Sequence, residues 1–295
     1  MFFAVPPDAQ GQKNNAQFKR TPQPLRPAPT AAAPHPGCTV LGILMDNLEQ
    51  FRVAPGLDAW VVPDFDKLIG SPDARNVQAL LEQVYPVRRA GDLIVWAQPQ
   101  WIEGDNDALK YRGNTLNRGK MWFQIGDPRE IGFIKYFYTG WQNAVLPATS
   151  NVEACPELAP IVSKYNTFCS GLGFQSANHF IATHYIDGKH SIGDHSDKPK
   201  SIAPESLITV LKTGEYGRPF RLTWLDGTLI FEKVLMPGTA IMMTLEANLR
   251  TKHGVPAVDE AGPSGSIVFR TIDDQVSWAQ LEHKIAAINR KKRKL

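Results

Sequence analysis

Cysteine is scarce. Cys38, Cys155 and Cys169 are three in 295 residues, an odd count at wide spacing. That excludes a disulfide framework and a cysteine zinc cluster, and points to buried thiols in a reducing compartment. No continuous apolar run reaches membrane-spanning length, so no transmembrane segment is expected. The opening Met1-Phe2-Phe3-Ala4-Val5-Pro6-Pro7 is too short, and too soon broken by proline, to read as a signal peptide. No internal repeat is visible. The chain reads as soluble and intracellular, with no membrane partner.

Charge is small in sum and uneven in place. The total is +3, yet residues 1–37 carry +3 and residues 284–295 carry +6, so the body between them is −6. A nucleic-acid site on that acidic body needs a local basic patch, because the bulk field does not supply one. The run Arg290-Lys291-Lys292-Arg293-Lys294 reads as a nuclear-import signal or as a basic helix end suited to the helix dipole.

With 43% apolar residues, one sizeable core is affordable. Residues 1–37, rich in Pro, Ala, Gln and Asn, bury too little to offset their ordering entropy and read as a disordered tail. Residues 38–275 form the body, and 276–295 a basic C-terminal helix and tail. Within the body Ala59–Val62 reads as a strand. Ala74–Val84 reads as a helix with Val77, Leu80, Leu81 and Val84 on one face, and Pro156–Ser170 as a second with Leu158, Ile161, Val162 and Tyr165.

From Asn178 the pattern turns to short β-type runs: 180–186, 207–211, 220–224, 228–231, 240–244, 255–258 and 267–272. Asp226-Gly227 and Pro237-Gly238 mark turns between them. The fold class expected is mainly β with flanking helices (α+β). A jelly roll fits the spacing, with the upstream helices bracing one sheet.

Tyr185 to Asp197 reads Tyr-Ile-Asp-Gly-Lys-His-Ser-Ile-Gly-Asp-His-Ser-Asp. In extended chain, His195 and Asp197 point to the same side. His253 follows in Lys252-His253-Gly254-Val255-Pro256, and in a jelly roll it can meet the first pair across the two sheets. Two imidazoles and a carboxylate on one face of Fe(II) leave positions open for a cosubstrate and O₂. Arg270, at the end of Ile267-Val268-Phe269, is costly to bury without an anion. It reads as a bidentate clamp for a dicarboxylate, or as a strand-end arginine reaching solvent or pairing with Asp273 or Asp274.

These residues resemble the AlkB-like branch of the Fe(II)/2-oxoglutarate-dependent dioxygenases, whose pattern is matched by Asn178, Tyr185, Gly188, His195, Asp197, His253 and Arg270. Upstream, Asn117-Arg118-Gly119-Lys120-Met121-Trp122-Phe123 and Tyr136-Phe137-Tyr138-Thr139-Gly140 resemble the family's arginine-containing lid and its Tyr-x-Tyr-x-Gly element. The resemblance spans about 56–272 and is sharpest over 178–198.

It implies a double-stranded β-helix with iron on His195, Asp197 and His253. 2-Oxoglutarate would be held by Tyr185, Arg270 and Asn178, with O₂ as co-reactant and ascorbate as accessory reductant. The implied substrate is methylated DNA or RNA, oxidised by N-demethylation as in nucleic-acid repair. Arg118, Lys120, Trp122 and Tyr138, with Arg112 and Asn117, would grip phosphate and stack on a flipped base. A monomer is expected.

Three positions depart from the pattern. Thr183 stands where many relatives have a second asparagine, and Ser264 where many have a second arginine. Asp197 is followed by Lys198-Pro199, without the acidic residue that meets the base in repair members. Lys212, Arg218 and Arg221 are alternative cosubstrate cations on the intervening strands. The rival readings are the same core acting on a protein side chain or small molecule, and an inactive β-helix serving as a binding module.

Overall fold

The computed structural model describes residues 48–85, 87–89, 101–103, 110–111, 114–115, 118–134, 149–273 and 275–277, with 279, 283 and 290. All lie in the second of two units, residues 39–295. The expected tail (1–37), the start of the body (38–47), Arg112, Asn117, Tyr138, most of the last helix and residues 291–295 fall outside the described residues.

The protein is mainly β. The elements that position the site are β1 (Ala59–Val62), α1 (Val77–Val84), β2 (Gly119–Gln124), α2 (Ala159–Gly171), β3 (His179–Tyr185), β4 (Ile192–His195), β5 (Leu207–Gly214), β6 (Arg218–Trp224), β7 (Leu229–Leu235), β8 (Ala240–Thr244), α3 (Leu245–Arg250), β9 (Thr251–Val255) and β10 (Ser264–Arg270). A nine-stranded sheet runs β1-β8-β5-β10-β3-β2 and continues through Trp101–Glu103 to Val87–Arg89, with Thr149–Asn151 also paired to β2. A four-stranded sheet runs β4-β9-β6-β7.

Strand alternation divides the apolar residues into two cores. On one face of the large sheet, Met121, Phe123, Phe180, Ala182, Leu207, Leu211, Ile267 and Phe269 pack against the helices. Tyr165 of α2 ties that layer down, donating its hydroxyl proton between Thr209 Oγ1 at 2.8 Å and the Leu207 carbonyl at 3.1 Å. On the opposite face, Tyr185, Ile208, Val210 and Ile241 meet Phe220, Leu222, Leu235 and Val255 of the small sheet. The sheets therefore face each other, and the site forms between them.

The expected turns close the hairpins. Gly227 (φ 95°) joins β6 to β7 and Gly238 (φ 89°) joins β7 to β8, both in the left-handed region that glycine enters without strain. Helix α2 buries Ile161, Val162, Tyr165 and Cys169, and Leu158 is buried just before it. Helix α1 departs from expectation. It follows a 3₁₀ turn over Pro72–Asn76 and buries Val77, Gln78 and Leu81, while Leu80 and Val84 are exposed. Gln78 is admitted because β10 carries Gly265 beneath it: a Cβ there would lie 2.5 Å from Gln78 Oε1.

Cys155 and Cys169 are free and buried. No described helix is long and apolar enough to cross a membrane.

Candidate metal centre

Strand β4 pairs antiparallel with β9, placing His195 directly opposite His253. Their rings lie 4.5 Å apart, centroid to centroid. The two histidines are thus neighbours in one sheet, rather than partners across the sheet pair as the jelly-roll spacing suggested. Phe220 of β6 stacks on the His253 ring at 5.9 Å and 11°. The His195 Nδ1 sits 2.9 Å from the Gly193 carbonyl. With the proton on that nitrogen, Nε2 is left bare for a metal.

Asp197 lies just beyond β4 and turns toward the large sheet. Ser196, between the two candidate ligands, donates to the Thr251 carbonyl at 2.6 Å. Asn248 of α3 holds the Asp197 backbone at both ends: the Asp197 N–H donates to Asn248 Oδ1 at 2.8 Å, and Asn248 Nδ2 donates to the Asp197 carbonyl at 3.0 Å. Helix α3 is itself capped by Thr244, whose hydroxyl accepts from the Ala247 N–H. The carboxylate is buried, and one ligand atom from each of His195, Asp197 and His253 lies within 4.8 Å of the others. This group can hold a metal ion.

The electrostatics suit that role. Burial, then the adjacent His253, push the His195 imidazole down from its ordinary value. Burial also lowers His253, against the pull of Asp197. Both rings are therefore neutral near pH 7, as ligands must be. Burial would raise the Asp197 carboxyl, but Arg270 and the two histidines outweigh it and hold it well below the carboxylate range. Among the described residues, His253 Nδ1 is buried with no hydrogen-bond partner, a cost of about 1–3 kcal/mol that a bond from that nitrogen to a metal would offset.

Arg270 lies against this centre but is engaged differently from the clamp expected of it. Its Nε donates to Asp197 Oδ2 at 2.7 Å and its Nη2 to Oδ1 at 2.8 Å. The guanidinium is therefore spread over both oxygens of a candidate ligand. Each oxygen keeps a further lone pair, so metal and arginine can share the carboxylate. The alternative partners were Asp273 and Asp274; Asp274 falls outside the described residues.

The other expected residues divide. Tyr185 is buried and points between the sheets, with Lys212 Nζ and the Arg218 guanidinium each 5.4 Å from its ring centroid. Asn178 is not brought into the cluster. Its side chain clasps Ile272, donating to the carbonyl at 3.0 Å and accepting from the N–H at 2.9 Å. Gly188 holds a close approach: the Val258 N–H donates to its carbonyl at 2.9 Å, and a Cβ would strike the Val258 carbonyl.

Arg118, Lys120 and Trp122 are all buried. They belong to the central strand β2 and the residue before it, rather than to an exposed lid. Lys120 pairs with Thr183 and Trp122 with Ile181 of β3. Burial, then Arg118 and Arg270, drive the Lys120 ammonium far below its usual value. Among the alternative cations, Arg218 is consumed by the carbonyls of Asp187, Gly188, His190 and Pro256. Arg221 turns outward to Glu232 at 2.5 Å and Asp194 at 3.8 Å.

Two neighbours of the centre escaped the sequence reading. His179 lies opposite Arg270 in the ladder, and burial with Arg270 pushes it down to about 3. Its signal was the alternation 179, 181, 183, 185, which sends all four residues to the inner face. Asn248 carried no signal, because its partner is the backbone of a residue 51 positions away. No protein-family model matches the chain, and no curated protein matches it.

Proposed function

We propose that this chain is an Fe(II)/2-oxoglutarate-dependent dioxygenase of the AlkB-like kind, built on a double-stranded β-helix, that oxidises methylated nucleic acid by N-demethylation. The observation that carries this reading is the convergence of His195, Asp197 and His253, remote in sequence, within 4.8 Å. Two nitrogens and one carboxylate are the donor set of non-haem ferrous oxygenases. The strand order supports the jelly roll: from β3 to β10, successive strands distribute as β3-β10-β5-β8 in one sheet and β4-β9-β6-β7 in the other.

Bound ferrous iron would supply O₂ activation coupled to decarboxylation of 2-oxoglutarate, giving succinate, CO₂ and a hydroxylated substrate carbon. On an N-methyl group the product is a hemiaminal, which loses formaldehyde and leaves N–H. The protein's part is positional. His195 and His253 present neutral nitrogens, Asn248 sets the height of Asp197, and Arg270 keeps that carboxylate ionised and oriented. Phe220, Leu222 and Val255 line the small sheet beside the histidines and exclude water.

Arg118 and Lys120 are buried, so contacts to phosphate fall to residues outside β2. The basic C-terminal run is one source, adding salt-sensitive, sequence-blind affinity and serving nuclear import. The Arg270–Asp197 pair favours one rival, the inactive module, because it closes the carboxylate without a metal. Succinate release from 2-oxoglutarate with Fe(II), abolished in His195→Ala and Asp197→Ala, separates the two. Mass spectrometry of methylated oligonucleotides beside a methylated-peptide control then assigns the substrate. Protein that never takes up iron ends the reading.

A further inference from the structure

The inner face of the large sheet carries a second polar group beyond the metal centre. Lys212, Ser266, Thr183 and Lys120 lie in one row across β5, β10, β3 and β2. In the next row Gly214, Ser264 and Tyr185 are in register. Alternation sends Lys212, Ser264, Ser266 and Tyr185 to the same side, facing the small sheet. Lys212 is 1% exposed and Ser264 0% exposed. Among the described residues, neither Lys212 Nζ nor Ser264 Oγ has a hydrogen-bond partner, and both are buried. Two donors left unpaired in one dry place are expensive unless a ligand accepts from them.

We propose that Lys212, seconded by the Ser264 hydroxyl, is the seat of the distal carboxylate of a keto-diacid whose other end lies at the metal centre. The inference rests on the dioxygenase reading and goes further: it assigns to a lysine of β5 the task for which β10 has no second arginine. Arg218 and Arg221 are committed elsewhere, whereas Lys212 Nζ has no hydrogen-bond partner among the described residues. Ser266 and Arg270 are four residues apart on β10, about 13 Å along the strand. A lysine and an arginine side chain are each long enough to narrow that span toward the length of a five-carbon diacid. Burial, then Arg218, push Lys212 down to about 7, so a bound anion would draw the proton back to it. A point-like ammonium favours a terminal carboxylate without demanding the bidentate geometry of arginine.

The test is calorimetric titration of the full chain loaded with Mn(II), which binds without turnover. The titrants are 2-oxoglutarate and 2-oxopentanoate, a monoacid of the same chain length without the distal carboxylate. The wild type is expected to prefer the diacid. Lys212→Met is expected to weaken the diacid by roughly 30-fold or more, the loss seen when one partner of a buried charge pair is removed. Its monoacid affinity and Mn(II) affinity should stay near wild type, and Lys212→Arg should keep part of the preference. Should Lys212→Met fail to fold, Lys212→Gln is read the same way.

A Lys212→Met protein that still prefers the diacid overturns the assignment and leaves the dioxygenase reading standing. So does a wild type that binds both keto acids equally. A wild type that takes up Mn(II) but binds neither acid, or takes up no metal, overturns both.

Discussion

Arg270 and Asp197 form a buried pair with side chains 6% and 2% exposed. Removing one partner of such a pair costs about 3–5 kcal/mol, because the other is left charged and dry. Arg270→Ala should therefore lower the stability of the metal-free protein by that amount in urea unfolding. A divalent cation should restore more of the loss in the variant than it adds to the wild type, since it replaces the missing positive charge. Equal stabilisation of both proteins would detach Arg270 from the metal centre. Lys212 gives a second expectation. Tyr185, Arg218, Ser264 and Ser266 face it, and its folded pKa of about 7 lies below the ordinary 10.5. Between those values the unfolded chain binds more protons, so metal-free stability should rise with pH across that window. Lys212→Met should flatten the rise, as melts from pH 7 to 10 would show.

At the scale of elements, the site depends on how closely β4 and β9 approach. A Cβ on Gly254 would strike the Asp194 carboxylate and lie 2.9 Å from the Ile192 carbonyl oxygen. Gly254→Ala should wedge the strands apart and weaken metal binding about 10-fold or more, the scale of a lost supporting contact. Near-native circular dichroism with unchanged metal affinity would show that the spacing tolerates it. The strands after residue 178 were legible because alternation and turn residues agree there. Strand β2 was not: Arg118, Lys120 and Trp122 face the polar interior of the site, so its inner side looks like a solvated surface. Helix α1 misled for a related reason. Its buried stripe includes Gln78, which donates to Glu82 at 2.6 Å, and periodicity counts that position as polar. The candidate triad, which the structure brings together, was legible as a pattern of residue types. The Arg270–Asp197 pair and the Asn248 clasp were not, since both join residues brought together by tertiary packing alone.

Across the whole molecule, the centre joins the two sheets: the histidines stand on the small one, Arg270 on the large one, and Asp197 spans the gap. On the dioxygenase reading, deleting residues 1–37 should leave turnover of a small methylated substrate unchanged, because every described residue placed at the candidate site lies between 118 and 270. A large loss in a steady-state assay would make the tail part of the working fold. The interior between the sheets has a further consequence. Among the described residues, Lys212 and Arg270 bring positive charge to that interior, and Asp197 offsets the arginine; on the dioxygenase reading, a doubly negative keto acid would bind the folded chain there. Whatever binds the native chain and not the unfolded one shifts the folding balance, and small shifts of that kind change how much protein survives cellular quality control. On that reading, the supply of the keto acid would influence how long each copy lasts.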